Sequence, residues 1–484
     1  MNKNKKIIII TIISLIVLTG IYLLYNTYAL TTKTTNNGDY YTINLTDSNI
    51  VSLKANEEKT VICQINNTNN GTVSYGVAYN NSNIEVKVYS DSKDKATGTI
   101  GANDNKYIKL HLKNKTSSNT TVEITAVMGY ENGGDLIVPS DSTLVTGTYT
   151  APISLAKYIT NLYTNASKST VTNNSITYNY ATSESLMNDR LGGTTSSLDG
   201  GNIRYYGASP KNYVYFNCET YPSTNCELWR IIGVFDGKIK LMRNESIGNY
   251  SWDTSASSVN SGYGVNEWSQ ADLMKLLNPG HESESVGGSL YYNSKSVGTC
   301  YSGRSNATTS CNFTSTGIKN DTTRNMIAET TWNLGGWDTS KIFSNEMYEK
   351  ERGTTTVSNP SDGITRATTW TGKIALPYPS DYGFATDLSK CSQTLSNYYS
   401  STDSYACRSN DWMYSIFKTN TFNWLLTPLS GNANNAFNVY SAGYVNKNTS
   451  VYGANGVAPV LYLGSDQDIV AGDGSQSNPY QLKA

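Results

Sequence analysis

Hydrophobic and polar residues alternate with a period of two over much of residues 31–150. The segments 84–89, 107–112 and 121–127 show this pattern clearly, and polar turns such as 69–71 separate them. Alternation of this kind is typical of strands that bury one face. We therefore predict a small antiparallel, immunoglobulin-like β-sandwich over this region.

The pattern changes at residue 151. Residues 153–163 have apolar side chains at helical spacing, and Ser, Thr and Asn then dominate as far as Gly200-Gly201. Residues 151–201 are thus predicted to form a short helix and a polar connector.

Apolar runs separated by short turns become more frequent from about residue 202. An apolar run over 228–235 meets Asp236-Gly237 and then a second run over 238–242. Asp-Gly between two strand patterns is a strong hairpin signal.

Helices, a loop and further strands are expected beyond this hairpin. The helices are predicted at 269–277 and 341–350, where capping residues precede apolar faces. Pro377 and Pro379 predict a fixed loop through residue 385. The strands are predicted at 422–427, 436–439, 443–445 and 457–463, with a C-terminal hairpin or tail at 465–484.

The N-terminus has the pattern of an export signal. Lys3, Lys5 and Lys6 precede the uncharged apolar run 7–24, which at ~1.5 Å per residue reaches ~27 Å. The lysines place the start of the chain in the cytoplasm. Residues 1–30 are therefore either a membrane anchor or a cleaved signal peptide, and the remainder is expected on the extracellular side, anchored or secreted.

Composition agrees with a neutral extracellular surface. The formal charge is −1 and charged residues make up 15%, whereas tyrosine occurs 37 times. This balance lacks the basic patch that nucleic-acid binding requires, so nucleic acid is not an expected partner.

Six of the seven cysteines lie beyond residue 201 and form three local couples: Cys218 with Cys226, Cys300 with Cys311, and Cys391 with Cys407. Outside the membrane such couples indicate disulfides, each worth roughly 2.5 to 3 kcal/mol. Their spacing does not fit a zinc site. Cys63 is left over and is expected as a buried thiol in a strand.

Four motifs in residues 202–464 carry a family resemblance: Leu228-Trp229-Arg230-Ile231-Ile232-Gly233, Pro379-Ser380-Asp381-Tyr382-Gly383, Trp424-Leu425-Leu426-Thr427-Pro428, and Gly456-Val457-Ala458-Pro459-Val460-Leu461-Tyr462-Leu463. Together they resemble an uncharacterised domain of bacterial surface and phage-borne proteins. That domain is similar to the C-type-lectin-like core of sulfatase-modifying enzymes and retroelement-diversified receptors. The resemblance implies an α+β C-type-lectin-like domain, although relatives commonly have arginine where this chain has Ala458.

The known sites of that fold are not matched here. The enzyme branch uses two reactive cysteines late in the core, and no cysteine follows Cys407. The sugar-binding motifs of calcium-dependent lectins are absent, so no metal site is predicted. Calcium bound by Asp466, Asp468 and Asp473 is a weak alternative.

General catalytic patterns give no catalytic residue. The two histidines, His111 and His281, lie in different predicted domains, so that a nucleophile and base arrangement would rest on His281 alone. An enzyme acting on the envelope therefore remains an alternative, with a structural coat or stalk protein as a second.

A late segment rich in Tyr, Asn and Ser favours recognition. We expect ligand contacts from Asn438, Tyr440, Tyr444, Asn446 and Tyr452, since tyrosine gives rigid contact area and Asn gives adaptable hydrogen bonds. In the diversified receptors this region presents the ligand surface. The sequence thus predicts a recognition protein whose partner is a host or bacterial surface protein or a glycan, with residues 7–24 contacting the membrane if they are not cleaved.

Overall fold

A computed structural model describes residues 27–36, 41–45, 50–67, 70–131, 135–136, 138–192, 200–255, 260–358, 360–398 and 402–484. The chain divides into two compact units, Met1–Ala151 and Pro152–Ala484. The apolar run 7–24 lies outside the described residues, and the first strand begins at Thr27, inside the segment assigned to export. Among the described residues, no helix is both long enough and apolar enough to cross a membrane.

The described part of unit 1 is made of strands. They are β1 (Thr27–Asn36), β2 (Tyr41–Leu45), β3 (Ile50–Leu53), β4 (Glu58–Asn66), β5 (Val73–Tyr79), β6 (Ile84–Tyr89), β7 (Thr97–Ile100), β8 (Asn105–Asn114), β9 (Thr120–Glu131), β10 (Thr143–Leu144) and β11 (Gly147–Tyr149).

These strands form two sheets that share β1. The first sheet has the order β1, β4, β8, β6, β11, and the second runs from β1 through β2 and β9 to β5. Alternate residues of both sheets, such as Ile108 and Leu110 in β8 and Ile124 in β9, meet in one core. The alternation read from the sequence therefore marks strands with one buried face.

The expectation of a purely antiparallel sandwich is wrong in two places. β1 runs parallel to β4, and β11 runs parallel to β6. A parallel pair needs a connection that crosses from one end of the sheet to the other, which local alternation does not reveal.

Unit 2 is also rich in β-structure. Its strands are β12 (Ile153–Ser154), β13 (Ser169–Asn173), β14 (Ile176–Ala181), β15 (Leu186–Asn188), β16 (Ile203–Tyr205), β17 (Tyr213–Phe216), β18 (Glu227–Phe235), β19 (Lys238–Arg243), β20 (Asn249–Tyr250), β21 (Gly298–Gly303), β22 (Ala307–Cys311), β23 (Thr330–Asn333), β24 (Thr369–Gly372), β25 (Ile374–Ala375), β26 (Phe422–Pro428), β27 (Asn435–Tyr440), β28 (Val445–Ser450), β29 (Asn455–Gly456), β30 (Val460–Tyr462), β31 (Asp468–Ala471) and β32 (Gln481–Leu482).

Short helices lie between these strands. They are α1 (Leu155–Asn165), α2 (Asp272–Leu277), α3 (Asp321–Met326), α4 (Ser344–Glu351), α5 (Pro379–Ala385), α6 (Thr402–Ser409) and α7 (Tyr414–Phe417).

Two sheets organise unit 2. The larger has the order β13, β14, β15, β16, β18, β19, β30, β25, with β17 also paired to β18. The second has the order β20, β29, β26, β27, β28. The hairpin predicted around Asp236-Gly237 is present as β18 and β19, and both turn residues have positive φ. Large side chains, including Trp229, Trp252 and Trp424, fill one core.

The predicted polar connector is wrong. Residues 169–188 instead supply β13, β14 and β15, which extend the larger sheet of unit 2. Tyr178 and Tyr180 of β14 are buried, and the Tyr180 hydroxyl accepts a hydrogen bond from the backbone N of Leu388 at 3.2 Å. The high content of Ser, Thr and Asn concealed these strands. The helix that precedes them, α1, agrees with the prediction.

The loop predicted at residues 378–385 is instead helix α5. Pro379 occupies its first turn, where the missing N–H has no intrahelical partner to lose. The carboxylate of Asp381 accepts a hydrogen bond from the backbone N of Tyr378 at 3.0 Å, which caps the helix. Proline therefore starts this helix.

All three predicted disulfides are present. They join Cys218 to Cys226, Cys300 to Cys311, and Cys391 to Cys407. Cys63 is buried and unpaired in β4. Bonds of this kind indicate an extracellular or otherwise oxidising environment.

Candidate functional site

A group of aromatic residues and one arginine surrounds the turn between β27 and β28. We call this group the tyrosine–arginine patch, and its members are Tyr405, Arg408, Tyr414, Phe422, Tyr440 and Tyr444.

The β27–β28 turn fixes the backbone at the centre of the patch. The N–H of Tyr440 donates to the carbonyl of Tyr444 at 3.0 Å, and the N–H of Gly443 donates to the carbonyl of Tyr440 at 2.7 Å. Gly443 has a φ of 102°, and a Cβ there would lie 3.0 Å from the side chain of Arg408. Glycine is therefore needed both for the turn and for the approach of α6.

Aromatic rings from β26, from β27 and from the residue before β28 adjoin one another on this turn. The ring of Tyr440 lies 5.1 Å from that of Phe422 and 5.2 Å from that of Tyr444, measured between centroids. All three side chains are partly exposed. Ring pairs at this distance hold each other in place, so they present contact area that loses little freedom on binding.

Helix α6 contributes the cationic part of the patch. The Arg408 guanidinium donates to the carbonyl of Ala442 and lies 4.2 Å from the ring centre of Tyr405. Tyr405 is 61% exposed and is one of five large hydrophobic residues in the described ranges that are exposed. The Tyr414 hydroxyl donates to the carbonyl of Ser441 at 3.2 Å. Both helical side chains are thus tied to the β27–β28 turn.

Two features hold α6 and α7 under the patch. The disulfide from Cys391 reaches α6 at Cys407, the residue before Arg408. Between the helices, buried Asp411 accepts hydrogen bonds from the N–H of Met413 at 2.8 Å and of Tyr414 at 3.3 Å, and from the Thr386 hydroxyl at 2.8 Å. Burial raises the pKa of Asp411 to about 8. Asp411 positions the start of α7 as a mostly protonated group at neutral pH.

The structure separates the five ligand-binding residues that the sequence predicted. Tyr440 and Tyr444 lie at the turn of the β27–β28 hairpin, whereas Tyr452 follows the far end of β28. Six residues of strand separate the two ends, or roughly 20 Å.

The prediction that Asn438 contacts a ligand is wrong. Its side chain is fully buried in β27, because this position faces the core. It accepts a hydrogen bond from Asn446 at 3.4 Å, and Asn446 also donates to Thr449 at 3.0 Å. The pair supports the hairpin, and Asn438 does not reach the surface.

A second feature is a cavity of about 260 Å³ lined by three acidic residues, of which Asp253 and Asp272 lie beside each other and Glu267 is the third. Asp253 accepts hydrogen bonds from the backbone N of Val265 at 2.7 Å and of Asp272 at 3.3 Å. Asp272 accepts one from the backbone N of Thr254 at 2.9 Å. Asp253 thus accepts from the backbone N of Asp272, and Asp272 accepts from the backbone N of the residue that follows Asp253.

Burial raises the pKa of both aspartates, and the negative charge of Asp253 further raises the pKa of Asp272 to about 7. Near neutral pH the pair holds a proton that an isolated aspartate would have lost. Such a pair can both donate and accept protons.

Tyr452 lies near this cavity. Its carbonyl accepts a hydrogen bond from Ser251, two residues before Asp253, and its ring lies 5.7 Å from that of Tyr263. The Arg304 guanidinium in turn lies 3.6 Å from the ring centre of Tyr263.

The two histidines take part in neither feature. His111 is buried in unit 1, 3.1 Å from the Glu58 carboxylate and stacked on Tyr149. His281 follows α2, where its backbone N donates to Ser289. Within the described ranges, no group of three or more His, Cys, Asp or Glu side chains is placed to hold a metal ion. Asp466, Asp468 and Asp473 therefore do not form such a group.

Comparisons with protein families, with curated proteins and with solved structures gave no match for this chain. Tyr405, Arg408 and Tyr414 were not predicted from the sequence, because the fold brings them to the β27–β28 turn from an earlier segment. The i, i+3 spacing of Tyr405 and Arg408 on one helix face was the available signal. The cavity acids Asp253 and Asp272 had no signal, because 19 residues separate them in sequence.

Proposed function

We propose that this chain is an extracellular recognition protein that binds a surface protein or glycan through the tyrosine–arginine patch. In this proposal residues 202–464 form a C-type-lectin-like domain, and the protein is secreted or held at the cell membrane. The single observation that carries the proposal is the patch itself, where five aromatic rings and one arginine adjoin at the surface.

The composition of the patch supports binding to a partner. Tyrosine and arginine are enriched among the residues that contribute most to binding energy at protein interfaces. Tyr405 is exposed and stacks with Arg408. Aromatic rings also offer faces on which sugar rings can pack, while the amides and hydroxyls nearby can bond sugar hydroxyls.

The rigid support beneath the patch also favours binding. The disulfide at Cys407, the hydrogen bonds of Asp411 and the turn at Gly443 hold its elements together. Little conformational freedom is then lost when a partner binds, which raises affinity for a given contact area.

The experiment is an array of glycans and of host and bacterial surface proteins, probed with the oxidised chain. Tyr405→Ala removes the most exposed ring of the patch, and the double variant Tyr440→Ala/Tyr444→Ala removes the rings at the turn. Each should weaken a saturable signal about 30-fold or more, the effect of losing one important interface residue. Tyr107→Ala, in unit 1, is the matched control and should leave the signal unchanged. Equal binding by all variants would refute the patch as the binding surface.

A second candidate is an enzyme acting on the envelope, and the Asp253 and Asp272 pair favours it. Glycoside hydrolysis uses one protonated and one ionised carboxyl group. Release of reducing sugar from envelope glycans, abolished by both Asp253→Asn and Asp272→Asn but unchanged in Tyr405→Ala, would support this activity. Absence of release by the folded wild-type protein would reject it.

A further inference from the structure

Lys240 is a buried cation that plays no part in the proposed binding surface. Its side chain in β19 is fully buried, and its ammonium lies 4.5 Å from the ring centre of Tyr378, 5.2 Å from Phe235, 5.5 Å from Tyr462 and 5.6 Å from Trp332. All four aromatic residues are themselves buried. The ammonium therefore lies in a buried chamber with aromatic walls that exclude bulk water.

One carboxylate faces this ammonium. The Nζ atom of Lys240 lies 2.5 Å from Oδ2 of Asp381, which is also fully buried. Among the described residues Asp381 is the one hydrogen-bond acceptor of Lys240, although an ammonium carries three N–H donors. A contact of this length places the nitrogen roughly 3 Å from the carboxyl carbon, the separation from which bonds form.

Other donors also hold the Asp381 carboxylate in place. Oδ1 accepts from the Arg204 guanidinium at 3.0 Å, and Oδ2 accepts from the backbone N of Tyr378 at 3.0 Å. Donors in these positions stabilise negative charge that develops on a carbonyl oxygen during attack at its carbon.

The other charged residues near Lys240 and Asp381 form ion pairs that do not need Lys240. Arg204 contacts Asp189 at 2.5 Å through Nε, and Arg352 contacts Glu351 at 2.9 Å. Loss of the charges of Lys240 and Asp381 together would leave these two pairs balanced. It would also remove a fully buried ion pair, whose desolvation is costly.

We propose that Lys240 and Asp381 condense after folding into an isopeptide bond that joins β19 to α5. The ammonium passes one proton to the carboxylate, and the neutral amine then attacks Cγ of Asp381. The C–N bond forms, one carboxyl C–O bond breaks, and the leaving hydroxyl takes a second amine proton and departs as water. The step requires no oxidant and no co-reactant.

The pKa values of Lys240 and Asp381 determine how fast this reaction proceeds. Burial lowers the pKa of Lys240 to about 8, which favours the amine. Burial alone would raise the pKa of Asp381, but the charges of Lys240 and Arg204 lower it below its usual value. The neutral pair is therefore a minor species and condensation is slow. Fixed reactants compensate, because their effective concentration reaches about 10⁵ M or more.

Mass spectrometry of the full chain tests the bond. After incubation for days at pH 7.5, reduction and denaturation, the wild-type mass should be lower than the sequence mass by about 18 Da, one water. Proteolysis should give one branched peptide that contains both Lys240 and Asp381. The variant Lys240→Arg keeps the charge but should show the full mass, and Lys238→Arg, a lysine change on the same strand, should still lose water.

The wild-type measurement decides the matter even if Lys240→Arg does not fold. A folded wild-type chain that retains its full mass would overturn the proposal, and the two residues would then form only an ion pair. A loss of water that persists in Lys240→Arg, or that maps to other peptides, would overturn it equally.

Discussion

Asp411 gives the sharpest prediction about stability, because one buried acid carries a large change in proton affinity. Its pKa rises from the ordinary value of 3.8 to about 8 because burial disfavours the charged form. A folded-state pKa above the unfolded value means that the group contributes stability at low pH, and that this stability is lost as pH rises from about 4 to about 8. At pH 7 the unfolded chain has released this proton and the folded chain has largely kept it, so the free energy of unfolding is lower than at acid pH by about 4 kcal/mol.

The variant Asp411→Asn removes this titration. The amide is neutral at every pH, its oxygen can accept from Met413 and Tyr414, and its N–H₂ can donate to the Thr386 hydroxyl. We therefore expect the variant to be as stable as the wild type near pH 4, and more stable by up to about 4 kcal/mol at pH 7.

Urea unfolding of the full chain, with disulfides intact, measures this difference at pH 4.5, 6 and 7.5. All eight tryptophans lie in residues 229–424, so their fluorescence reports the unfolding of unit 2. Asp236→Asn, a change of an exposed carboxyl in the β18–β19 turn, is the matched control and should shift stability by less than about 0.5 kcal/mol. A variant that is less stable than wild type, or a difference that does not grow with pH, would refute the reasoning.

Three further predictions concern other parts of the molecule. Burial raises the pKa of Asp272 to about 7, so Asp272→Asn should stabilise unit 2 increasingly between pH 4 and 7, and a difference that falls with pH would contradict the account. Replacement of Cys391 and Cys407 by serine opens a loop with a separation of 16 residues and should cost about 3 kcal/mol in urea unfolding, whereas a loss below about 1 kcal/mol would mean that the bond adds little. Cys63 is fully buried and its pKa is raised to about 12, so a thiol reagent should label it only when unit 1 unfolds, and rapid labelling of the native chain would show that its strand opens.

The sequence predicted the elements whose pattern is local. The hairpin of β18 and β19 was recognisable from Asp236-Gly237, and the strands of unit 1 from strict alternation, because both depend on neighbouring residues. The disulfide pairs were also predicted, because the two cysteines of each pair lie close together in the sequence and only a short loop must close to join them.

Features that depend on distant contacts were not predicted. The strands β13 to β15 lie in a segment rich in Ser, Thr and Asn, and they join the larger sheet of unit 2 through the pairing of β15 with β16. Helix α5 begins at Pro379 because Asp381 caps it, yet two nearby prolines indicated a loop. Burial of Asn438 follows from the side of β27 that faces the core, which an Asn-rich segment does not show.

In the candidate site, too, the residues that depend on distant contacts were not predicted. Tyr440 and Tyr444 were found from their composition, but Tyr405, Arg408 and Tyr414 reach the turn only through the packing of α6 and α7. The pairing of Asp253 with Asp272 and of Lys240 with Asp381 likewise joins residues from separate elements.

The central claim is that the tyrosine–arginine patch binds a partner. The most direct measurement is the Kd of one partner identified on the array, determined for the wild type, for Tyr405→Ala and for Tyr452→Ala. Our account predicts that Tyr405→Ala raises Kd about 30-fold or more while Tyr452→Ala, which lies beyond the other end of β28, changes it less than about threefold. The reverse order would contradict the account and would place binding beside the cavity of Asp253 and Asp272.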